Sequence, residues 1–128
     1  MIGRVLLGVL VAFAAGQAVA AQSAQLATTQ ETAQARVVHL RGLDTVAGRA
    51  VDIDLPVGET VRFGRLEILA EACRVPRDNP AADAYAFLKI RDVREDSPRF
   101  SGWMFASSPA LSALDHPRYD VWVLGCEA

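Results

Sequence analysis

A chain of 128 residues with 13 basic and 15 acidic side chains carries a net charge of −2 and has room for one domain. That mild acidity argues against a nucleic-acid partner, which needs a basic face. The two cysteines, Cys73 and Cys126, stand far apart and form neither a CxxC redox pair nor a zinc pattern.

The chain opens on what reads as an export signal. Arg4 supplies a positive start, Val5 to Gly16 an apolar run, and Ala18 and Ala20 the small residues that a signal peptidase reads. The run is shorter than the ~20 residues that span a bilayer as a helix. Residues 1–20 are therefore expected to be removed, leaving no integral membrane span. Export to an oxidising compartment predicts that Cys73 and Cys126 pair. Residues 21–35, "AQSAQLATTQETAQA", hold one charge and no aromatic, and are expected to form a flexible leader.

From Arg36 to residue 128 the pattern is that of a single β domain. "RVVHLRGL" reads as a strand and "DTVAGR" as a turn. "AVDIDLP" alternates apolar with acidic, "ETVRFG" is a short strand, and "RLEILAEACRV" places Leu66, Ile68, Ala70 and Ala72 on one face. A proline-containing loop follows over Pro76 to Asp83. "AYAFLKIRDV" and "RFSGWMFAS" are apolar on both faces. Ser108 before Pro109 is a helix start, and His116-Pro117 a stop, so a short helix is expected over Pro109 to Leu114. "RYDVWVLGC" is the last strand, with Trp122 and Cys126 on a shared face by strict alternation. About seven strands at this spacing predict an all-β fold, a small sandwich or partly closed barrel, with one short helix before the last strand.

Catalytic chemistry finds its residue types here but no selective spacing. Ser101, Ser107 and Ser108, His39 and His116, and Asp115 and Asp120 could supply a nucleophile, a base and an orienting acid, yet no GxSxG elbow is present. His116 at a helix end reads first as a capping or packing group. Asp52 and Asp54 read as a solvated strand face rather than a glycosidase pair. His116 and Asp120 are too few for a metal site, and no cofactor motif is present; neither metal nor cofactor is expected. Trp122 reads as core beside the disulfide. Tyr85, Phe87, Trp103 and Phe105 leave two options: the short helix covers them as a lid, the favoured arrangement, or they form an aromatic patch for a partner.

The stretch "VVHLRGLDTVAGRAVDIDLPVGETVRFGRLEILAEAC", then "AFLKI", then "FSGWMFASSPALSALDHPRYDVWVLGC" resembles the DUF2155 family, small exported proteins of alphaproteobacteria. The resemblance implies one exported domain, a paired Cys73 and Cys126 and a periplasmic setting, and brings no catalytic residues with it. The expected function is that of a non-enzymatic envelope module binding another envelope protein or a cell-wall polymer. Trp103, Phe105, His116 and Tyr119 are its candidate binding residues. The alternative is a small periplasmic hydrolase using a serine and His116.

Overall fold

The computed structural model describes residues 31–128, so the expected signal over 1–20 and the leader as far as residue 30 lie outside the described residues. Eight strands follow in order: β1 (Thr32–Gln34), β2 (Val37–Asp44), β3 (Arg49–Pro56), β4 (Thr60–Phe63), β5 (Leu66–Pro76), β6 (Tyr85–Asp92), β7 (Phe100–Phe105) and β8 (Tyr119–Glu127). They form two antiparallel sheets. The larger runs β1-β5-β6-β7 with β4 also on β5, and the smaller runs β3-β2-β8. The all-β reading holds, as a two-sheet packing without a closed barrel.

The eighth strand comes from the segment expected to be leader. Thr32–Gln34 pairs with Arg74–Pro76, and Arg74 Nε donates to Thr32 Oγ1 at 2.7 Å. Ala35 is buried and donates its N–H to the Cys73 carbonyl at 2.8 Å. Its alanines and threonine lack an aromatic signal, but one free edge of β5 needs partners for its backbone groups.

The core lies between the sheets. Val38, Leu40, Leu55, Leu66, Ile68, Ala70, Leu88, Ile90, Met104, Val121 and Val123 are all buried there. Two glycines admit large rings into it. A Cβ on Gly42 would stand 2.8 Å from the Phe63 ring, and one on Gly64 would stand 2.5 Å from the Tyr119 hydroxyl. Gly64 also has φ of +55°, a conformation that costs other residues energy. Phe63 and Tyr119 meet edge to face with ring centres 5.7 Å apart.

Two β-bulges reset the alternation. On β5, Ala70 faces Leu88 and Ala72 faces Phe87, so Glu71 is the extra residue. On β8, Val123 faces Leu40 and Gly125 faces His39, so Leu124 is the extra residue. Each bulge turns the rest of its strand over. Ala72 therefore points outward and Cys73 inward, contrary to the strict alternation. Val123 and Cys126 point inward, while Trp122 is half-buried on the outer face opposite Arg41. The expected sharing of one face by Trp122 and Cys126 is thus overturned. The two inward cysteines form the expected disulfide, with Cα atoms 6.1 Å apart, tying β5 of one sheet to β8 of the other.

The expected helix over Pro109 to Leu114 is a single 3₁₀ turn, Pro109–Leu111. Ser108 makes no side-chain capping bond, and Ser112 is already extended. Distance explains this. Ala106 donates to the Ala84 carbonyl at the start of β6, whereas His116 reaches Asp92 at its end. The strap over residues 106–118 must travel the length of β6, roughly 26 Å at ~3.3 Å per residue. A helix rising ~1.5 Å per residue would fall short. Among the described residues, no helix is long and apolar enough to cross a membrane.

Candidate functional site

The outer face of the larger sheet carries an aromatic cluster built by strand register. Trp103 on β7 lies opposite Phe87 on β6, and Phe105 opposite Tyr85. Residues two apart on a strand share a face, so the four rings stand as two adjacent rungs. Both rungs are edge-to-face, with centres 5.4 Å apart for Phe87–Trp103 and 5.8 Å for Tyr85–Phe105. Trp103 is 37% exposed, and the other three rings are half-buried. Charged pairs edge the cluster: Lys89 lies 3.0 Å from Glu71, and Arg91 lies 2.7 Å from Glu67. Burial and the acid groups at Asp83 and Asp78 raise the Tyr85 hydroxyl pKa, keeping it protonated.

The strap does not cover these rings as the favoured lid arrangement expected. Leu111 is 77% exposed, and Leu114 belongs to the core cluster between the sheets. The strap is held at one end by Asp83, whose carboxylate accepts from Ser107 N–H at 2.9 Å and Ser107 Oγ at 2.6 Å.

Its other end is held by His116, whose side chain is 1% exposed. The backbone N–H groups of Arg118 and Tyr119 both donate to Nδ1, at 3.0 and 3.2 Å. That assigns the ring proton to Nε2, which donates to Asp92 Oδ2 at 3.0 Å. Asp92 is buried because alternation along β6 puts it on the inward face with Ala86, Leu88 and Ile90. The Arg94 N–H, the His116 ring and the nearby Arg65 hold its carboxyl well below the usual carboxylate range, against the opposing effect of burial. Tyr119 completes the network. It is buried, its hydroxyl accepts from Arg65 N–H at 3.3 Å, and the guanidiniums of Arg65 and Arg118 stand 5.4 and 5.3 Å from its ring centre.

The structure therefore separates the four candidate binding residues. Trp103 and Phe105 share the outer face of the larger sheet, while His116 and Tyr119 are buried at the opposite end of β6, away from that face. Tyr85 and Phe87 join the first pair. Asp92 and Arg65 join the second, and neither was singled out from the sequence. Asp92 could have been found as an acidic residue at an inward position of an apolar strand. The general-base role that a serine hydrolase asks of His116 needs a free ring lone pair beside a hydroxyl. Both ring nitrogens of His116 are committed, and Ser107 bonds Asp83 instead. Asp92, Glu95 and His116 place ligand-type atoms within 4.8 Å of one another. Nε2 carries the ring proton there, and Arg65, Arg94 and Arg99 already face the two carboxylates. That donor set is arranged as an ion-pair network and does not suit a metal.

Residues 38–126 match the family described as "Uncharacterized protein conserved in bacteria (DUF2155)". The chain belongs to the DUF2155 family. The matched span runs from the start of β2 to the disulfide cysteine of β8, so the DUF2155 region holds both bulges, the strap and the aromatic face. The chain is similar to "Uncharacterized protein RP359" of Rickettsia prowazekii (strain Madrid E), 30% identical over 87 residues. That alignment takes in 66% of this chain, which spans 56% of the relative's length. No solved structure is a significant match to this DUF2155 protein.

Proposed function

We propose that this DUF2155 protein is a non-enzymatic periplasmic module whose aromatic face takes another envelope protein. The observation that carries the reading is the quartet of Tyr85, Phe87, Trp103 and Phe105 on one sheet face, with Trp103 exposed among them. Aromatic side chains at the centre with a charged rim are the anatomy of a protein interface. The Lys89–Glu71 and Arg91–Glu67 pairs supply such a rim. The signal-like start and the paired cysteines support the compartment. A cell-wall polymer stacking on the same rings is the other occupant that the face could serve. The hydrolase alternative is less well supported, because His116 has no serine partner and no uncommitted nitrogen.

The test is a photo-reactive residue at Ser101, which is exposed on the Trp103 face. In intact cells it should form an adduct with one envelope protein. Trp103→Ala with Phe105→Ala should abolish that adduct at unchanged protein level. An adduct released only by digestion of the wall would transfer the reading to the polymer. Absence of any adduct would remove the face from consideration.

A further inference from the structure

Away from the aromatic face, at the end of the sandwich near Tyr119, an open cleft of about 210 Å³ is lined by Asp44, Arg49, Val51, Ile53, Arg62, Phe63, Gly64 and Tyr119. About half of its wall is apolar. Val51 and Ile53 pack against the core, and Phe63 and Tyr119 form the edge-to-face pair that Gly42 and Gly64 make room for. Its polar groups are unevenly satisfied. Asp44 is fully matched, since Arg118 Nε and Nη2 donate to its two oxygens at 3.0 and 2.8 Å. The N–H groups of Val46 and Ala47 add two further bonds to it.

The arginines are where the balance fails. Among the described residues, seven arginines pair with a carboxylate: Arg41, Arg65, Arg77, Arg91, Arg94, Arg99 and Arg118. Arg74 bonds Thr32 instead. Of the remaining Arg36, Arg49 and Arg62, two line this one cleft. Arg62 donates only to the Gly64 carbonyl, at 3.2 Å. Glu67, its neighbour across the ladder, gives its carboxylate to Arg91. An acidic chain thus leaves two guanidiniums without a counter-ion in the lining of a cleft whose other wall is apolar.

We infer that this cleft binds a carboxylate carried on a short apolar body, such as the carboxyl end of an acyl chain. The guanidiniums of Arg49 and Arg62 take the carboxylate through forked N–H donors, and the apolar part lies against Val51, Ile53 and Phe63. The volume is below that of a drug-sized site, which limits the occupant to a small ligand or the end of a longer one. The inference does not depend on what the aromatic face binds.

Titration calorimetry of the mature, oxidised protein with octanoate tests it. Saturable binding is expected, with acetate and octanol each at least about tenfold weaker, because one lacks the body and the other the charge. Arg49→Gln with Arg62→Gln should weaken octanoate at least about tenfold and leave the melting temperature unchanged, since neither side chain holds a structural ion pair. Arg36→Gln should bind as the parent does. Octanol binding as well as octanoate would overturn the inference, as would a double variant of parental affinity or an absence of saturation by about 10 mM. Octyl phosphate binding more than about tenfold tighter than octanoate would overturn the carboxylate in favour of a phosphate headgroup.

Discussion

His116 and Trp122 stand six positions apart, and the packing role read for the first holds while the core role read for the second does not. The histidine is a buried keystone; the tryptophan is an outer-face residue beside the Arg41–Asp52 ion pair. His116→Ala removes the donor to a buried carboxylate and the acceptor for two backbone N–H groups, so it should cost about 2–3 kcal/mol. Trp122→Ala should cost only about 1 kcal/mol, far from the 3–5 kcal/mol of a core aromatic. Urea unfolding of both variants checks the order, and the reverse order would return Trp122 to the core. His39 makes a second residue-scale prediction. Its ring nitrogens lie 2.6 Å from Asp54 and 3.0 Å from Glu127, joining β3, β2 and β8. The Asp54 hydrogen bond, helped by Glu127, raises its pKa from 6.5 despite some desolvation. A raised folded pKa means that this contribution is complete below pH 6.5 and fades as pH climbs through the higher folded value. Melting temperature followed from pH 5 to 9 should therefore drop on the alkaline side, and His39→Gln should flatten that part of the profile.

At the scale of elements, the short β1 and the strap matter most. β1 contributes the Arg74–Thr32 bond, the Arg77 N–H to Glu31 carbonyl bond at 2.9 Å and the buried Ala35. A chain beginning at Arg36 loses all three. It should be about 1–2 kcal/mol less stable than one beginning at Glu31, which lowers the melting temperature by about 5–10 °C in a domain this size. Equal melting of the two chains would show that the β5 edge is satisfied by water alone. The strap shows how tertiary distance overrides a local helix signal. Ser108-Pro109 is a sound helix start, yet the chain between Ser107 and His116 has to stay extended to reach both Asp83 and Asp92.

For the whole molecule, the disulfide is the covalent link between the sheets, and both bulges are needed to form it. Reduction, or Cys73→Ala with Cys126→Ala, should lower stability by about 2–4 kcal/mol for a closure of 53 positions. Thermal melts with and without reductant, with thiol counting, check this, and a loss below about 1 kcal/mol would mean that the sheet packing alone sets the stability. Much of the architecture was legible beforehand. Strand identity and order follow from two-residue alternation and from Gly, Pro and Asp punctuation, which are local properties of the chain. The pairing of Cys73 with Cys126 followed from their being the two available thiols. Which face each residue took was another matter. A bulge is decided by the partner strand, so Glu71 and Leu124 carry no local mark of it, and strict alternation placed Ala72 and Trp122 inside. The candidate site divided in the same way. Trp103 and Phe105 were recognisable as strand aromatics, but the open face depends on where the strap runs. The arginine cleft depends on which of the eleven arginines among the described residues find carboxylates across sheets far apart in the sequence. The sequence by itself determined every strand but β1, because period and punctuation are written along the chain. Only the tertiary structure decided faces, bulges and unpaired charges, because those are settled between segments that meet only after folding.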